Sequence, residues 1–241
     1  MRVLLLGGTG EARALAARLH PDVPVISSLA GRVPDPALPV GEVRIGGFGG
    51  ADGLAEWLRG NDITTVVDAT HPFAATITAN AARAAAQVGL PHLVLARPAW
   101  PDGDAIVVGS DTEAAEIVAR RGYRRVFLTT GRSGTAAFKD SDAWFLIRAV
   151  TAPEDPLIPA HHEVLLSRGP YHVEGERDLL REFGIDALVT KNSGGAMTHA
   201  KLDAAAEMGV PVIMVDRPAL PGGVRVVHTV DAAVDWLTGL R

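Results

Sequence analysis

A run of glycines joins an apolar segment to an alanine-rich segment near the start of the chain. The run is Gly7-Gly8-Thr9-Gly10-Glu11-Ala12, and it directly follows Val3–Leu6. Glycine lets a pyrophosphate approach the backbone, and a helix beginning there offers unpaired N–H groups and a positive dipole end. The spacing departs from G-x-G-x-x-G, and such turns also occur without a ligand. In a strand–turn–helix setting, we predict that this turn binds the pyrophosphate of a dinucleotide.

The residues at the end of the second predicted strand indicate which dinucleotide binds. NAD-binding sheets usually carry an Asp or Glu about 20 residues after the glycine turn, where it holds the ribose 2′-OH. This chain has Ser27-Ser28-Leu29-Ala30-Gly31-Arg32 there, with no acid. Hydroxyls and a guanidinium suit a 2′-phosphate, so Ser28 and Arg32 favour NADPH over NADH. The alternative is that Arg32 is a solvated loop residue.

Two further segments follow the third and fourth predicted strands. Gly46-Gly47-Phe48-Gly49-Gly50 indicates either another close backbone approach or a flexible turn. Asp68-Ala69-Thr70-His71-Pro72-Phe73-Ala74 ends the fourth strand, where a substrate or a nicotinamide would lie. His71 could donate a proton or orient a ligand, because histidine readily changes charge near neutral pH. A capping or packing role for His71 is the alternative.

Basic residues follow three apolar strands in the second half of the chain. The motifs are Thr130-Gly131-Arg132, Ser167-Arg168-Gly169-Pro170 and Thr190-Lys191-Asn192-Ser193-Gly194-Gly195. With Arg13 and Lys201, they could form a basic rim for a substrate that carries several carboxylates. The alternative is that each charge is solvated on the surface, as most Lys and Arg are.

The composition limits the classes of function. The chain has 241 residues, no cysteine and a net charge of −5, which excludes disulfides, thiolate metal sites and a Cys nucleophile. Nothing in the charge indicates nucleic acid as a partner, and no apolar run approaches the roughly 18–20 residues of a membrane span. His161-His162-Glu163 does not predict a metal site, because adjacent residues of an extended segment face opposite ways. We expect a cytoplasmic protein, either a monomer or a weak homo-oligomer.

Apolar β-branched runs alternate with alanine-rich stretches, which predicts an α/β protein with parallel strands. Predicted strands are Val3–Leu6, Val23–Ser27, Glu42–Ile45, Thr64–Asp68, His92–Ala96, Arg125–Thr129, Trp144–Val150, Glu163–Leu166, Ala187–Thr190 and Val212–Val215. Predicted helices are Glu11–His20, Ala51–Arg59, Ala74–Val88, Asp111–Arg121, Val173–Phe183, Thr198–Met208 and Asp231–Leu240.

Two segments echo each other and predict two related halves. Gly89–Pro98 and Gly209–Pro218 both read as a helix stop, a buried strand and then Arg-Pro. The stretch Pro98–Gly109 is the candidate linker. We therefore predict domains at residues 1–104, for the cofactor, and 105–241, for the substrate. A ligand between them would lie at the carboxyl ends of the strands.

Taken in order, these motifs resemble those of the precorrin-6A reductase family of cobalamin biosynthesis. The resemblance spans about residues 1–216 and is most specific at Asp68–Ala74 and Thr190–Gly195. It implies two Rossmann-like domains with NADPH and a tetrapyrrole-derived polycarboxylate in the cleft between them. It also implies reduction of one double bond of precorrin-6A to give precorrin-6B. Related enzymes that act on a cobalt-containing substrate share the motifs, so the cobalt state stays open.

The resemblance and the residues together assign expected roles. Cofactor contacts are expected from Gly7, Gly8, Thr9, Gly10, Glu11, Ser28, Arg32, Gly47, Phe48, Gly49, Thr70 and His71. Substrate contacts are expected from Arg13, Arg132, Arg168, Lys191, Ser193 and Lys201. His71 is the candidate proton donor, although water or a substrate group could supply the proton. The alternatives are another NADPH enzyme of a small metabolite and a non-catalytic NADPH-sensing regulator.

Overall fold

The chain forms two compact α/β units in a computed structural model that describes residues 1–31, 37–153 and 158–240. Unit 1 comprises Met1–Pro98 and Pro218–Arg241, and unit 2 comprises Ala99–Arg217. Each unit contains one parallel sheet of six strands. The predicted fold class, with two Rossmann-like parallel-sheet domains, is confirmed.

The described residues contain twelve strands and seven α-helices. The strands are β1 (Val3–Leu6), β2 (Val25–Leu29), β3 (Glu42–Ile45), β4 (Thr65–Asp68), β5 (His92–Leu95), β6 (Ile106–Val108), β7 (Arg125–Leu128), β8 (Trp144–Ala149), β9 (His162–Leu166), β10 (Ala187–Lys191), β11 (Val212–Val215) and β12 (Arg225–Val227). The helices are α1 (Gly10–Leu19), α2 (Gly50–Gly60), α3 (Ala75–Val88), α4 (Asp111–Arg121), α5 (Val173–Glu182), α6 (Ala200–Met208) and α7 (Val230–Thr238).

The sheet of unit 1 has the order β12-β5-β4-β1-β2-β3. Its central strands read as continuous apolar runs because helices cover both faces of the sheet. Residues of α1 and α7, such as Leu15 and Leu237, pack with Val3 and Leu93 on one face. Helices α2 and α3 cover the other face. The order reverses between β1 and β4, and such a switch point is where doubly wound sheets bind their ligands.

The sheet of unit 2 repeats this arrangement with the order β6-β11-β10-β7-β8-β9. With β1 and β7 counted as strand 1, and β12 and β6 as strand 6, both units follow the Rossmann order 3-2-1-4-5-6. One face carries a core in which α5 and α6 pack on the sheet through Leu180, Ala204 and Ala205. The repetition of strand order is the structural counterpart of the sequence echo between the halves.

The two units exchange their sixth strands along the chain. After β5 the chain leaves unit 1 and forms β6, which pairs with β11 in unit 2. After β11 it returns and forms β12, which pairs with β5 in unit 1. The unit boundaries fall beside the two Arg-Pro pairs that end the echo, at Pro98 and Arg217.

This division differs from the predicted one, which assigned residues 218–241 to the second domain. The reason is that Ala233 and Leu237 of α7 bury against α1 and the unit 1 sheet. The predicted linker also contains β6, a strand of only three residues. A three-residue run gives little periodicity to read, which is why both β6 and β12 were missed.

The remaining elements lie close to their predicted positions. Gly89 and Gly209 end α3 and α6, as expected. The predicted helix Thr198–Met208 begins at Ala200, after a short 3₁₀ turn at Ala196–Thr198. A second 3₁₀ helix, Arg132–Phe138, was not predicted. Within the described ranges, no helix combines the length and the apolar character that crossing a bilayer demands.

Candidate cofactor and substrate sites

The glycine turn after β1 lies against the turn after β4 at the switch point of unit 1. The Thr9 hydroxyl donates to the Ala69 carbonyl at 2.7 Å, and the N–H of Ala69 donates to the carbonyl of Leu6 at 2.9 Å. The same Thr9 oxygen accepts from the N–H of Ala12 at 3.1 Å and caps α1. The side chain of Thr9 therefore holds the two turns together, and Thr9 stays a predicted cofactor residue.

The glycines of this turn leave space that the described chain does not fill. Gly8 has φ +110°, which favours glycine, and a Cβ placed there would meet nothing within 4 Å. A Cβ at Gly10 would meet only the Arg13 Nη2, at 3.9 Å. The first amides of α1, at Gly10 and Glu11, have no hydrogen-bond partner among the described residues. An open approach to the free amides of a helix N-terminus fits a pyrophosphate.

Glu11 belongs to the same first turn, and its carboxylate is engaged within unit 1. It forms an ion pair with Arg97 at 3.2 Å, with side-chain exposures of 28% and 18% respectively. Glu11 stays a predicted cofactor residue. The structure gives it a second task, which is to fix the segment after β5.

Arg44 lies where β2 and β3 end, beside Ser28. Its Nη1 donates to the Ser28 Oγ and to the Gly46 carbonyl, each at 2.9 Å, and its Nη2 donates to the Gly47 carbonyl at 3.0 Å. The guanidinium carbon is 3.8 Å from the centroid of the Phe48 ring. The predicted residues Ser28, Gly47 and Phe48 thus come together around a cation that sequence reasoning missed.

The missed cation had a weak signal in the sequence. Arg44 is the one basic residue of β3, where it is the second-last residue and lies two positions before the glycine run, close to the ligand-binding edge. Arg32, the predicted 2′-phosphate ligand, lies outside the described residues. Gly49 is the N-cap residue of α2.

The motif after β4 is ordered by Asp68, which is 1% exposed. One of its oxygens, Oδ1, accepts from the Thr70 N–H at 2.9 Å and from the Thr70 hydroxyl at 2.6 Å. The other, Oδ2, is buried and has no hydrogen-bond partner in the described part of the chain. Burial lowers the pKa of His92 on β5, and the Asp68 charge opposes that shift.

His71 is oriented by the backbone of its own turn. Its Nδ1 accepts from the N–H of Phe73 at 3.3 Å, and the two rings lie 5.9 Å apart, centroid to centroid. A ring nitrogen that accepts a hydrogen bond carries no proton, so the proton of the neutral ring sits on Nε2. In this tautomer, Nε2 is the only ring nitrogen that can donate to a ligand.

Unit 2 brings its three basic motifs to the carboxyl edge of its own sheet. Lys191 ends β10, Arg168 follows β9, and Arg132 begins the 3₁₀ helix after β7. A Cβ at Gly169 would lie 2.7 Å from the Met197 carbonyl, so glycine lets these two loops touch. The N–H of Tyr171 donates to the same carbonyl at 3.0 Å.

The basic side chains of this edge differ in their surroundings. Arg168 is exposed, and Arg132 is half-buried. The Lys191 ammonium pairs with Asp111 at 3.2 Å, and its side chain is 12% exposed. Ser193 donates its backbone N–H to the Lys191 carbonyl at 2.7 Å. Arg13 belongs to unit 1, so the predicted basic set is divided between the two units.

Lys201, predicted as a member of the basic rim that contacts the substrate, is buried. Its residue is 5% exposed at the start of α6, and its Nζ donates to the Thr198 carbonyl at 2.9 Å. The Nζ lies 4.7 Å from the centroid of the Trp100 ring. Burial, the largest influence, lowers the Lys201 pKa to about 7, Arg148 lowers it as well, and Glu176 opposes the shift.

A buried ion pair stands beside Lys201 and joins β8 to α5. Arg148 and Glu176 form two hydrogen bonds, at 2.7 Å and 3.0 Å, and are 8% and 2% exposed. The Arg148 guanidinium carbon lies 4.6 Å from the centroid of the Phe127 ring and 4.0 Å from that of the Tyr171 ring. The Tyr171 hydroxyl lies 3.1 Å from the Ser167 Oγ, beside Arg168.

Asn192 anchors the two segments at which the chain enters and leaves unit 2. Its side-chain oxygen accepts from the Trp100 N–H at 2.9 Å, and its amide donates to the Trp100 carbonyl at 3.1 Å. Its own carbonyl accepts from the Arg217 Nε at 2.8 Å. Sequence reasoning included Asn192 only as part of a motif, since nothing local reveals partners about 92 positions away.

Comparison with known proteins places the chain. The family model described as precorrin-6x reductase CbiJ/CobK matches residues 2–238. The precorrin-6A reductase of Mycobacterium tuberculosis is 64% identical over 239 residues, covering 99% of this chain and 98% of that protein. The precorrin-6A reductase of Rhodococcus erythropolis is 55% identical, covering 98% and 97%.

A solved structure supports the same assignment. It is described as CobK precorrin-6A reductase and aligns with a TM-score of 0.90 at 38% identity, over 99% of this chain and 96% of that one. At this coverage the alignment includes both six-stranded sheets. This chain belongs to the precorrin-6x reductase family, CbiJ/CobK.

Proposed function

We propose that this protein reduces one double bond of precorrin-6A with NADPH, giving precorrin-6B. The observation that carries the proposal is membership of the reductase family across nearly the whole chain. The relatives at 64% and 55% identity are named precorrin-6A reductase, without cobalt, which favours the metal-free macrocycle as substrate.

Unit 1 supports the cofactor half of the proposal. The free amides at the start of α1 and the open space at Gly8 and Gly10 suit a pyrophosphate. The end of β2 carries Ser28, bonded to Arg44, where an NAD-binding sheet would carry an acid. A cationic, hydroxyl-bearing pocket attracts a 2′-phosphate and offers no carboxylate for a free 2′-OH.

Unit 2 supports the substrate half. The loops that carry Arg132, Arg168 and Lys191 follow β7, β9 and β10 of one parallel sheet, so all three loops lie along its carboxyl edge. A tetrapyrrole-derived substrate with several carboxylates suits such an edge. Fixed loops lower the entropic cost of binding, and the Gly169–Met197 approach and the Asn192 bonds fix two of them.

The main task of the protein in this reaction is to orient the cofactor and the macrocycle relative to each other. NADPH supplies a hydride when it is bound. Reduction of a double bond adds that hydride to one carbon and a proton to its neighbour. The conjugated macrocycle can delocalise the developing charge, so the chain needs to hold the two reactants in line. Among this chain's residues, His71 is the candidate that supplies the proton, and it would do so as an imidazolium that becomes a neutral imidazole. The hydrogen bond from the Phe73 N–H orients its ring.

The test is anaerobic incubation of the purified protein with precorrin-6A and either NADPH or NADH. Cofactor oxidation is followed by its absorbance, and the macrocycle by its own spectrum. We expect one NADPH oxidised per macrocycle reduced, and a much slower reaction with NADH. Cofactor oxidation must depend on the macrocycle, so the control omits precorrin-6A.

The cobalt form of the substrate provides the matched comparison. Faster turnover of cobalt-precorrin-6A than of precorrin-6A would overturn the choice of the metal-free substrate and leave the reductase intact. Absence of turnover with either macrocycle, while NADPH still binds, would favour the NADPH-sensing alternative over a reductase.

A further inference from the structure

Arg44 carries a positive charge that no acid balances in the described part of unit 1. Its three hydrogen bonds go to one hydroxyl and two carbonyls, and none goes to a carboxylate. Glu42 projects from the same face of β3, two positions away, but its carboxylate pairs with Arg2 at 3.4 Å. A partly buried cation with no counter-ion among the described residues attracts an anionic ligand.

The surroundings of Arg44 lower its hydration without removing its charge. Burial lowers the Arg44 pKa below its ordinary value, but a guanidinium stays protonated at neutral pH. One face of the guanidinium packs on the Phe48 ring at 3.8 Å, and the Trp57 ring lies 5.4 Å away. A weakly hydrated cation gains more from an anionic ligand than a solvated surface arginine does.

The Arg44 guanidinium is also held in a fixed orientation, and two of its N–H groups can still donate to a ligand. A guanidinium has five N–H groups, and the three hydrogen bonds of Arg44 fix Nη1 and Nη2. The other two N–H groups have no partner among the described residues. Because the side chain is already immobilised, binding an anion costs little additional conformational entropy.

From the charge and the geometry, we infer that Arg44 is the residue that selects the 2′-phosphate of NADPH, together with Ser28. The inference rests on the proposed use of NADPH. The phosphomonoester on the adenosine ribose would reach the end of β2, where the Ser28 Oγ and the Arg44 Nη1 lie 2.9 Å apart. The Gly46-Gly47 turn follows Arg44, and a Cβ at either glycine would meet nothing within 4 Å, which leaves room for that phosphate.

The test measures binding to the full chain without the macrocycle, using 2′,5′-ADP and 5′-AMP as probes. These nucleotides differ only in the 2′-phosphate. We expect the wild-type protein to bind 2′,5′-ADP more tightly than 5′-AMP. Arg44→Met should lower the affinity for 2′,5′-ADP alone by about 30-fold, which corresponds to about 2 kcal/mol of binding free energy. Methionine keeps an apolar stem against Phe48 and removes the donors. Arg44→Lys should retain part of the preference, because it keeps the charge without the fork.

Control variants distinguish a direct role of Arg44 from a structural one. Arg59→Met removes an exposed arginine from α2 of the same unit and should change neither affinity. The ratio of the two affinities is read from the same folded molecules, so partial unfolding of a variant does not alter it. An equal loss for both probes would make Arg44 a structural residue and overturn the inference. So would loss of the preference in Arg32→Met but not in Arg44→Met.

The same experiment keeps the inference distinct from the proposed function. A reductase that turns over precorrin-6A with NADPH, yet keeps its 2′,5′-ADP preference in Arg44→Met, contradicts only the role of Arg44. A wild-type protein that binds both probes equally contradicts the role of Arg44 and the preference for NADPH, but not the reduction itself.

Discussion

At the scale of single residues, burial decides what the cations of this chain can do. Lys201 is buried over the Trp100 ring beside the Arg148–Glu176 pair, and its pKa falls to about 7, chiefly through burial. In the unfolded chain a lysine titrates near 10.4, by the usual reference value. Between these two pH values the unfolded state holds a proton that the folded state has released.

That difference fixes the sign of a pH effect on stability. Because the unfolded state binds more protons between about pH 7 and pH 10, the free energy of unfolding rises with pH over that range. Lys201→Met removes the effect. We predict that raising the pH from 7 to 9.5 stabilises the wild type by about 3 kcal/mol relative to Lys201→Met. Urea unfolding of both proteins at the two pH values measures this change.

A matched exposed lysine gives the control for this prediction. Lys139→Met changes a side chain that is 53% exposed, and its difference from the wild type should stay flat with pH. A Lys201→Met difference that is equally flat would mean that the buried ammonium keeps an ordinary pKa.

Residue types and strand-end positions indicated which loops form the candidate site, but not the state of its charges. Ser28, Gly47 and Phe48 were chosen from the sequence, and they gather around Arg44, which was not. Lys201 was expected on a rim and is buried. Whether a cation is paired, exposed or desolvated depends on packing between distant segments, which a local pattern does not carry.

At the scale of elements, a substitution at the N-terminus of α1 can test whether the cofactor binds there. Gly10 is helical, and a Cβ there would meet only the Arg13 Nη2, at 3.9 Å, so the fold itself does not require glycine. Gly60 ends α2, has no unusual φ and would meet nothing within 4 Å. In a parallel sheet with crossover helices, that end lies at the edge opposite the ligand.

The two glycines make a matched pair of substitutions. We predict that Gly10→Ala and Gly60→Ala each leave the unfolding free energy unchanged or raise it by about 0.5 kcal/mol. Only Gly10→Ala should weaken NADPH binding, by about 10-fold or more, because its methyl group occupies the approach to the free amides. Calorimetric titration measures both affinities. Equal NADPH affinity in the two variants would move the pyrophosphate away from this turn.

Most elements could be predicted because their signals are local. Apolar runs, Gly stops and capping residues placed ten strands and seven helices within a few positions. Sequence patterns did not predict the two three-residue edge strands, Ile106–Val108 and Arg225–Val227. Each forms only by pairing with a strand far along the chain. Their pairing partners are β11 and β5.

At the scale of the whole molecule, the exchange of sixth strands decides which sequence belongs to which unit. Leu237 of α7 is 1% exposed and packs into the core of unit 1. Leu180 of α5 is also 1% exposed and packs into the core of unit 2. The sequence predicted two related halves from the Arg-Pro echo, but not that the chain returns to the first half after it.

A pair of cavity-forming variants tests this division. Leu237→Ala should lower the free energy of unfolding by about 2–5 kcal/mol, as large-to-small core changes do. It should also raise the rate of amide hydrogen exchange in β1 and β5. Leu180→Ala should instead raise exchange in β7 and β10. Hydrogen exchange followed by mass spectrometry resolves the strands. An increase in β7 and β10 for Leu237→Ala would return residues 218–241 to the second domain.

Delivery of hydride from NADPH to precorrin-6A is the proposed activity of the whole molecule, and isotope transfer is its sharpest test. NADPH carrying deuterium at both C4 positions makes the result independent of which face is used. We predict a reduced macrocycle one mass unit heavier than the product formed with unlabelled NADPH. A reduced macrocycle without deuterium, or an unchanged macrocycle with bound NADPH, would contradict the proposed hydride transfer.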